Sequence, residues 1–231
     1  MRGILAGLLL LLCSSGASAT LIAYWNFSGY TDASSATTIA ASAGTGTLTI
    51  TGFPDGDLNQ ENGTTLNETT PTDAGNDALS LRNQANNGDY LQLAVSLAGF
   101  QDPVLTYEAT RNNNGFNSNQ WSYSTNGGAS FTNFGVPVDP SNTPINTFNA
   151  GTLVTRDFTG VGALANQASV ILRYTFGGAS GGGGHNEIDN IQINASSTPE
   201  PSTLTLLSMG LCGLVIAGRR VRRRSGASPA R

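Results

Sequence analysis

Few side chains in this 231-residue chain have the chemistry of a catalytic group. Ser180 lies in the segment GASGG (178–182), which fits the G-x-S-x-G pattern of hydrolase nucleophiles, and the single histidine, His185, follows closely. That nucleophile requires a strand–turn–helix context and a base that arrives from a distant segment. Here the serine lies in a glycine run with no helical pattern after it. We therefore predict a flexible loop before the last strand rather than a serine nucleophile.

Carboxylates are the second group of candidates. Glu108, Glu187 and Asp157 lie on segments with strand patterning. Two carboxylates on either side of a glycosidic bond are the usual machinery of glycan hydrolysis. Their separation in space cannot be read from the sequence, so a secreted glycan hydrolase stays open as the alternative to a non-enzymatic protein.

An acidic segment, Asp55–Glu61, has oxygen-bearing side chains at alternate positions, as the calcium loop of an EF-hand does. Gln60 stands where that loop needs glycine, and Leu66 stands where it needs glutamate. No flanking helices are indicated. We interpret the segment as a solvated acidic loop.

Charge excludes one class of partner. Residues 20–198 hold four arginines against fourteen acids, a formal charge of −10, and the chain has no lysine. A nucleic-acid backbone repels such a surface, so no nucleic-acid partner is expected. Both cysteines, Cys13 and Cys212, lie in apolar terminal segments, so the middle of the chain has neither a disulfide nor a thiol.

The elements that position these groups are predicted to be β-strands. Apolar residues alternate with others in Tyr90–Leu97 and in Ser169–Phe176, and a period of two is typical of a half-buried antiparallel sheet. The only helix-like segment, Val161–Gln167, is short and flanked by glycine. The pattern therefore predicts an all-β fold, a two-sheet antiparallel sandwich of the jelly-roll type. Ten strands are predicted: Leu21–Phe27, Thr47–Thr51, Ala78–Arg82, Tyr90–Leu97, Val104–Arg111, Gln120–Ser124, Phe131–Val136, Leu153–Phe158, Ser169–Phe176 and Glu187–Asn194.

The N-terminus has the three parts of a secretory signal peptide. Arg2 supplies the positive start, Ile4–Leu12 is a short apolar run, and Ala17 and Ala19 are small residues at the expected cleavage positions. We predict cleavage after Ala19.

The C-terminus has a Pro-Glu-Pro motif, an apolar stretch (Leu204–Ala217) and a basic cluster, in that order. The motif is Pro199, Glu200 and Pro201, and the cluster is Arg219, Arg220, Arg222, Arg223 and Arg224. Residues 198–224 closely resemble the PEP-CTERM sorting signal of Gram-negative bacteria. The resemblance implies a short transmembrane sorting helix that holds the protein in the inner membrane, and processing near the motif by an exosortase-type transpeptidase.

The physical properties of this tail agree with the resemblance. The apolar stretch is marginal for a permanent anchor, and the arginines favour a cytoplasmic C-terminus. The prolines keep helix from extending through the motif. A stably membrane-anchored surface protein is the alternative. Four regions are therefore predicted: a signal peptide (1–19), an exported sandwich (20–195), the sorting signal (196–224) and a cytoplasmic tail (225–231).

Two segments of the exported region resemble secreted sandwich domains. Gln120–Thr132 reads as strand, Asn-Gly turn and strand, and Glu187–Ile193 is similar to the last strand of many secreted jelly rolls. Together they look like the adhesion-type or ligand-binding domains often joined to PEP-CTERM tails, related in shape to concanavalin-like and carbohydrate-binding modules.

This second resemblance implies a structural Ca²⁺ site. Asp189 matches the acid of the last strand, and Asp32 or Asn26 would approach it if the first and last strands pair. The alternative is that Asp189 caps a strand and accepts backbone hydrogen bonds.

Three aromatic residues, Trp25, Trp121 and Tyr123, are candidates for stacking on a sugar ring, and the sandwich core is the alternative place for them. We therefore expect a non-enzymatic cell-surface or extracellular-matrix protein. Its expected role is structural or adhesive, with exopolysaccharide as the candidate ligand.

Overall fold

Almost all regular structure in the described part of the chain is β-strand. The computed structural model describes residues 19–27, 38–72, 74–141 and 145–198. The chain divides between Thr198 and Pro199 into two units, and the described residues all lie in the first. Three short 3₁₀ turns accompany the strands, at Asp55–Asp57, Gln84–Asn86 and Gly162–Leu164. Thirteen strands are described: β1 (Ala19–Trp25), β2 (Thr38–Ala40), β3 (Ala43–Gly44), β4 (Gly46–Thr51), β5 (Leu58–Asn62), β6 (Asp77–Arg82), β7 (Tyr90–Val95), β8 (Phe100–Arg111), β9 (Asn119–Ser124), β10 (Thr132–Val138), β11 (Leu153–Asp157), β12 (Val170–Thr175) and β13 (His185–Ser197).

The strands form two antiparallel sheets. The first sheet has the order β11-β8-β13-β1-β3, and β6 with β5 extends it beside the N-terminal part of β13. The second sheet has the order β10-β9-β12-β7-β4-β2. The predicted two-sheet antiparallel sandwich is confirmed. The first and last strands do pair, with Trp25 opposite Ile191.

Alternation along the strands builds the core between the sheets. In β7 and β12, Leu91, Leu93, Leu172 and Tyr174 are buried, while the residues between them are half-buried or exposed on the outer side. Inward side chains from the two sheets interdigitate in this way in β-sandwiches. Apolar burial of this kind is the main favourable term in folding.

All ten predicted strands correspond to observed ones, with shifted ends. The short strands β2 and β3 were not predicted, and β5 corrects the interpretation of Asp55–Glu61 as a solvated loop. The second half of that segment pairs with β6 from Leu58 onward, and Leu58 is buried. As an edge strand with one neighbour, β5 carries polar side chains that hide its pattern in the sequence.

Several predictions concern residues outside the described ranges. They are the signal peptide up to residue 18, Asp32, the Pro199, Glu200 and Pro201 motif, and the arginine cluster with the apolar helix before it. Within the ranges that are described, no helix is long and apolar enough to cross a membrane.

Candidate functional site

Asp189 lies in β13 at a shift of its register with β8, and it is fully buried. Its Oδ2 accepts a hydrogen bond from the backbone N–H of Thr64 at 2.7 Å, and its Oδ1 accepts one from the N–H of Asn190 at 2.7 Å. The Asn190 side chain donates to the carbonyl oxygens of Thr64 and Leu66. Asp189 and Asn190 therefore fasten residues 63–67, which we call the strap, against the first sheet.

The predicted calcium site of Asp189, Asp32 and Asn26 stays a prediction, since Asp32 lies outside the described residues. Both carboxylate oxygens of Asp189 accept backbone N–H groups. The Asn26 side chain accepts from the Ser42 hydroxyl at 2.7 Å and donates to the Pro71 carbonyl oxygen at 3.1 Å. Among the described residues, no group of three or more His, Cys, Asp or Glu side chains is placed to hold a metal ion. The contacts of Asp189 agree with the alternative that the sequence left open, in which its carboxylate accepts backbone hydrogen bonds.

The aromatic candidates lie at the core. Trp25 is 0 % exposed and Trp121 is 1 % exposed, so neither ring offers a face to a ligand. Trp121 stacks on Tyr174 with ring centroids 4.7 Å apart, and its Nε1 donates to the Tyr107 hydroxyl at 3.0 Å. Tyr123 is half-buried and packs against the same core. A stacking surface built on Trp25 and Trp121 is therefore excluded by their burial.

Ser180 and His185 do not form a catalytic pair. The Ser180 hydroxyl contacts Asn114 Oδ1 at 3.4 Å, within the loop that precedes β13. His185 Nε2 lies 2.9 Å from Asn146 Oδ1 and 3.3 Å from Glu187 Oε1. The imidazole is thus engaged by an amide and a carboxylate rather than by the serine.

Buried acids lie on the outer side of the first sheet. In the pairing of β13 with β8, Glu187 lies opposite Thr110 and Asp189 lies opposite Glu108. Glu108 and Glu187 are therefore diagonal neighbours on the same face of the sheet. Both are nearly buried, at 2 % and 6 % exposure. Asp157, the third predicted acid, is exposed at the end of β11.

Glu187 also lines a groove on this side, with a volume of about 450 Å³. The strap end at Gly63–Thr65 forms one wall, and residues Asn146–Phe148 form another. Glu61 lies in the lining and pairs with Arg82. The groove is therefore polar and acidic, with one half-buried aromatic ring, Phe148.

Burial raises the pKa of Glu108, although a hydrogen bond from the Thr152 hydroxyl at 2.5 Å partly opposes that rise. A raised pKa in the folded state stabilises the protein below the unfolded pKa, and this stabilisation is lost as pH rises through the folded pKa. Glu108→Gln is therefore expected to increase the free energy of unfolding at pH 7. The gain should vanish at low pH, where Glu108 is protonated in both states.

Urea unfolding between pH 4 and pH 7 measures this effect, with Asp55→Asn, at an exposed carboxylate, as the control. A Glu108→Gln protein that is less stable than the wild type at pH 7 would show that the ionised carboxylate has a favourable role.

The outer face of the second sheet has a different chemistry. Successive register pairs place one polar side chain from each of its six strands side by side. We call these six residues the polar row: Thr38, Thr49, Gln92, Arg173, Ser122 and Asn133. Strands lie about 4.8 Å apart, so the row extends about 24 Å across the sheet.

Neighbouring positions on this face continue the pattern. Thr51, Tyr90, Thr175 and Gln120 form a second line parallel to the polar row. The strand positions of this face contain neither Asp nor Glu. Carboxylates are instead buried on the other sheet, so the two outer faces of the sandwich differ sharply in charge.

Arg173, at the centre of the row, is held by aromatic rings. Its Cζ lies 4.1 Å from the centroid of the Tyr90 ring and 3.5 Å from that of Phe131, a cation–π distance for both. With the Gln92 amide turned to satisfy both groups, its oxygen accepts from Arg173 Nε at 2.9 Å and from Nη2 at 2.7 Å. The guanidinium is thereby fixed on an accessible face.

None of these outer-face residues was predicted as a site. Gln92 and Arg173 occupy the positions between the apolar residues that identified β7 and β12, so a signal for an outward face was present. Their alignment across the sheet depends on strand order, which the alternation does not reveal.

Comparison with known proteins identifies the tail. Residues 197–224 match a family model described as the PEP-CTERM protein-sorting motif. The chain carries a PEP-CTERM sorting motif. Its presence confirms the resemblance drawn from the Pro-Glu-Pro, apolar and arginine segments, and it implies export, membrane-associated sorting and processing by an exosortase. No curated protein matches the chain.

Solved structures similar to the chain include the CBM22-1 xylan-binding domain from Paenibacillus barcinonensis Xyn10C, at 8 % identity and a TM-score of 0.45, covering 80 % of this chain and 100 % of that one. The mannan-recognising module TmCBM27 is 16 % identical with a TM-score of 0.43, covering 78 % and 99 %. The K1 cleaved adhesin domain of Lys-gingipain from Porphyromonas gingivalis is 14 % identical with a TM-score of 0.40, covering 74 % and 95 %. At these values the likeness does not indicate what the chain binds.

Proposed function

We propose that the chain is an exported surface or matrix protein whose sandwich binds polysaccharide in a structural or adhesive role, without catalysis. Sorting through the PEP-CTERM motif by an exosortase-type transpeptidase delivers it. The observation on which the binding role rests is the polar row on the outer face of the second sheet.

The chemistry of that face suits a hydroxylated polymer. Hydroxyl and amide side chains both donate and accept hydrogen bonds, as sugar hydroxyl groups do. The row crosses the whole sheet, and all of its residues except the buried Ser122 are at least partly exposed, so it offers such groups over an extended length. Its side chains stand on strands rather than loops, and little ordering entropy is lost when a rigid surface binds.

Aromatic rings add the apolar contact that sugar rings need. Tyr90 and Phe131 are half-buried beside Arg173, at the centre of the face. We therefore propose Tyr90 and Phe131 as the residues that stack on a sugar ring, in place of Trp25 and Trp121, which the sequence had suggested for this role.

The test is a glycan array probed with the full chain in detergent, followed by titration of the polysaccharide that binds. Tyr90→Ala is expected to weaken binding about tenfold, as the loss of a central aromatic contact does in other interfaces. Phe148→Ala, the same kind of change in the acidic groove, serves as the matched control and should leave affinity within about twofold. If Phe148→Ala lost binding and Tyr90→Ala did not, the binding site would be the acidic groove rather than the outer face of the second sheet.

A glycan hydrolase is the second candidate, because Glu108 and Glu187 lie on one face and Glu187 lines the groove. Measurement of reducing ends released from the array ligand separates the two functions. We expect no release. Turnover that disappears in both Glu108→Gln and Glu187→Gln would establish hydrolysis instead.

Mass spectrometry of the mature protein from its native cells distinguishes a stably membrane-anchored protein from one that is processed at the sorting motif. Processing at the PEP-CTERM motif removes the arginine cluster at 219–224, and signal cleavage leaves Thr20 at the N-terminus. A mature chain that retains the cluster would be a membrane-anchored surface protein.

A further inference from the structure

Among the described residues of this acidic domain, Arg173 has no ion-pair partner. Of the other described arginines, Arg82 pairs with Glu61 and Arg111 pairs with Asp139 at 2.6 Å, whereas Arg156 donates to the Val136 carbonyl oxygen. Within the described ranges, no carboxylate lies within 4 Å of the Arg173 guanidinium, although acids far outnumber arginines. Its charge is balanced only by aromatic rings and a neutral amide.

The hydrogen bonds of Arg173 leave one edge of the guanidinium unused. Gln92 accepts from Nε and Nη2, and no described residue accepts from Nη1. Two hydrogens on Nη1 and one on Nη2 are therefore available to a ligand. That edge matches the two oxygens of a carboxylate, which arginine binds in a bidentate manner.

The surroundings of Arg173 do not repel an anion locally. The strand positions of the outer face contain no acid, and the nearest acid in the sequence of β7, Asp89, lies at the rim beside Gly52. The buried acids Glu108, Glu187 and Asp189 are on the other sheet. An aromatic setting also excludes water, and this strengthens an interaction between opposite charges.

We propose that Arg173 binds an anionic substituent of the polysaccharide, so that the ligand is an acidic glycan, bearing the carboxylate of a uronic acid or a sulfate ester. This inference rests on the proposed function, because it assigns the ligand class of the same face. The other accessible residues of the polar row, which are Thr38, Thr49, Gln92 and Asn133, bind the hydroxyl groups around that substituent.

The experiment measures binding of the full chain in detergent to two matched pairs of polymers. Polygalacturonate is compared with its carboxyl-reduced form, and dextran sulfate is compared with dextran. We expect at least tenfold tighter binding to one anionic polymer than to its neutral partner, with the carboxylate pair and the sulfate pair identifying the source of the charge. Arg173→Met should abolish this preference, since a charge-assisted hydrogen-bonded pair is lost.

Arg82→Met is the matched control, because it removes one positive charge from a half-buried arginine on the other sheet. It should keep the preference for the anionic polymer. Melting temperatures of both variants show that each is folded.

Equal affinity for charged and neutral polymers, or a preference that survives Arg173→Met, would overturn the inference while leaving polysaccharide binding intact. Failure of the chain to bind any glycan on the array would overturn the proposed function as well. The two failures are therefore distinguishable.

Discussion

Replacing Asp189 with alanine is expected to lower the free energy of unfolding by about 3 kcal/mol. The carboxylate accepts the backbone N–H groups of Thr64 and Asn190, and its loss leaves both donors buried without that acceptor. Each kcal/mol corresponds to about 2–4 °C in a domain of this size, so Tm should fall by about 6–12 °C. Calorimetry or urea unfolding of the purified chain measures the change.

Asp157→Ala is the matched control, since Asp157 is exposed and accepts one N–H, from Thr159. We expect it to change the free energy of unfolding far less than Asp189→Ala does, since exposed substitutions of this kind have small effects. Addition of calcium or a chelator should move neither protein's Tm. A calcium-dependent rise that requires Asp189 would contradict the role assigned to its backbone contacts and restore the metal site.

Trp121→Ala should cost about 3–5 kcal/mol, the usual range for removing a large aromatic side chain from a core. The indole packs on Tyr174 and Tyr107 and donates to the Tyr107 hydroxyl, so both packing and a hydrogen bond are lost. Tm is the direct measurement. Because Trp121 faces the core, the affinity of the folded fraction for polysaccharide should not change.

If the alanine variant does not fold, Trp121→Phe still tests whether Trp121 affects the affinity for polysaccharide. It retains an aromatic ring, and we expect a smaller loss of stability with unchanged glycan affinity. A phenylalanine variant that melts like the wild type but binds about tenfold more weakly would show that Trp121 contacts the ligand after all.

The strands were predictable because their side chains alternate. Leu91, Leu93 and Val95 indicate β7 without any knowledge of its neighbours, as Leu172 and Tyr174 do for β12. In β5 the residues Asn59–Asn62 are all polar, so only pairing with β6 reveals the strand. Alternation of apolar and polar side chains indicates that one face of a strand is buried. An edge strand that buries few side chains therefore shows no such pattern.

The candidate site was less predictable, for two physical reasons. Trp25 and Trp121 are large aromatics that suit either a core or a binding surface, and only the packing decides between them. The outer face around Arg173 depends on registers among strands that are far apart in sequence, such as Gln92 opposite Arg173. The sorting motif is continuous in sequence and was predictable for that reason.

The pairing of β13 has a mechanical consequence. This strand ends at Ser197, next to the segment through which the PEP-CTERM tail continues, and it is hydrogen-bonded to β8 on one side and to β1 and β6 on the other. A force applied to the C-terminal end of β13 and directed along the strand acts perpendicular to its hydrogen bonds. Those bonds are loaded together in shear rather than opened one by one. In the proposed adhesive role, β13 is therefore the strand on which we expect a tensile load to fall first.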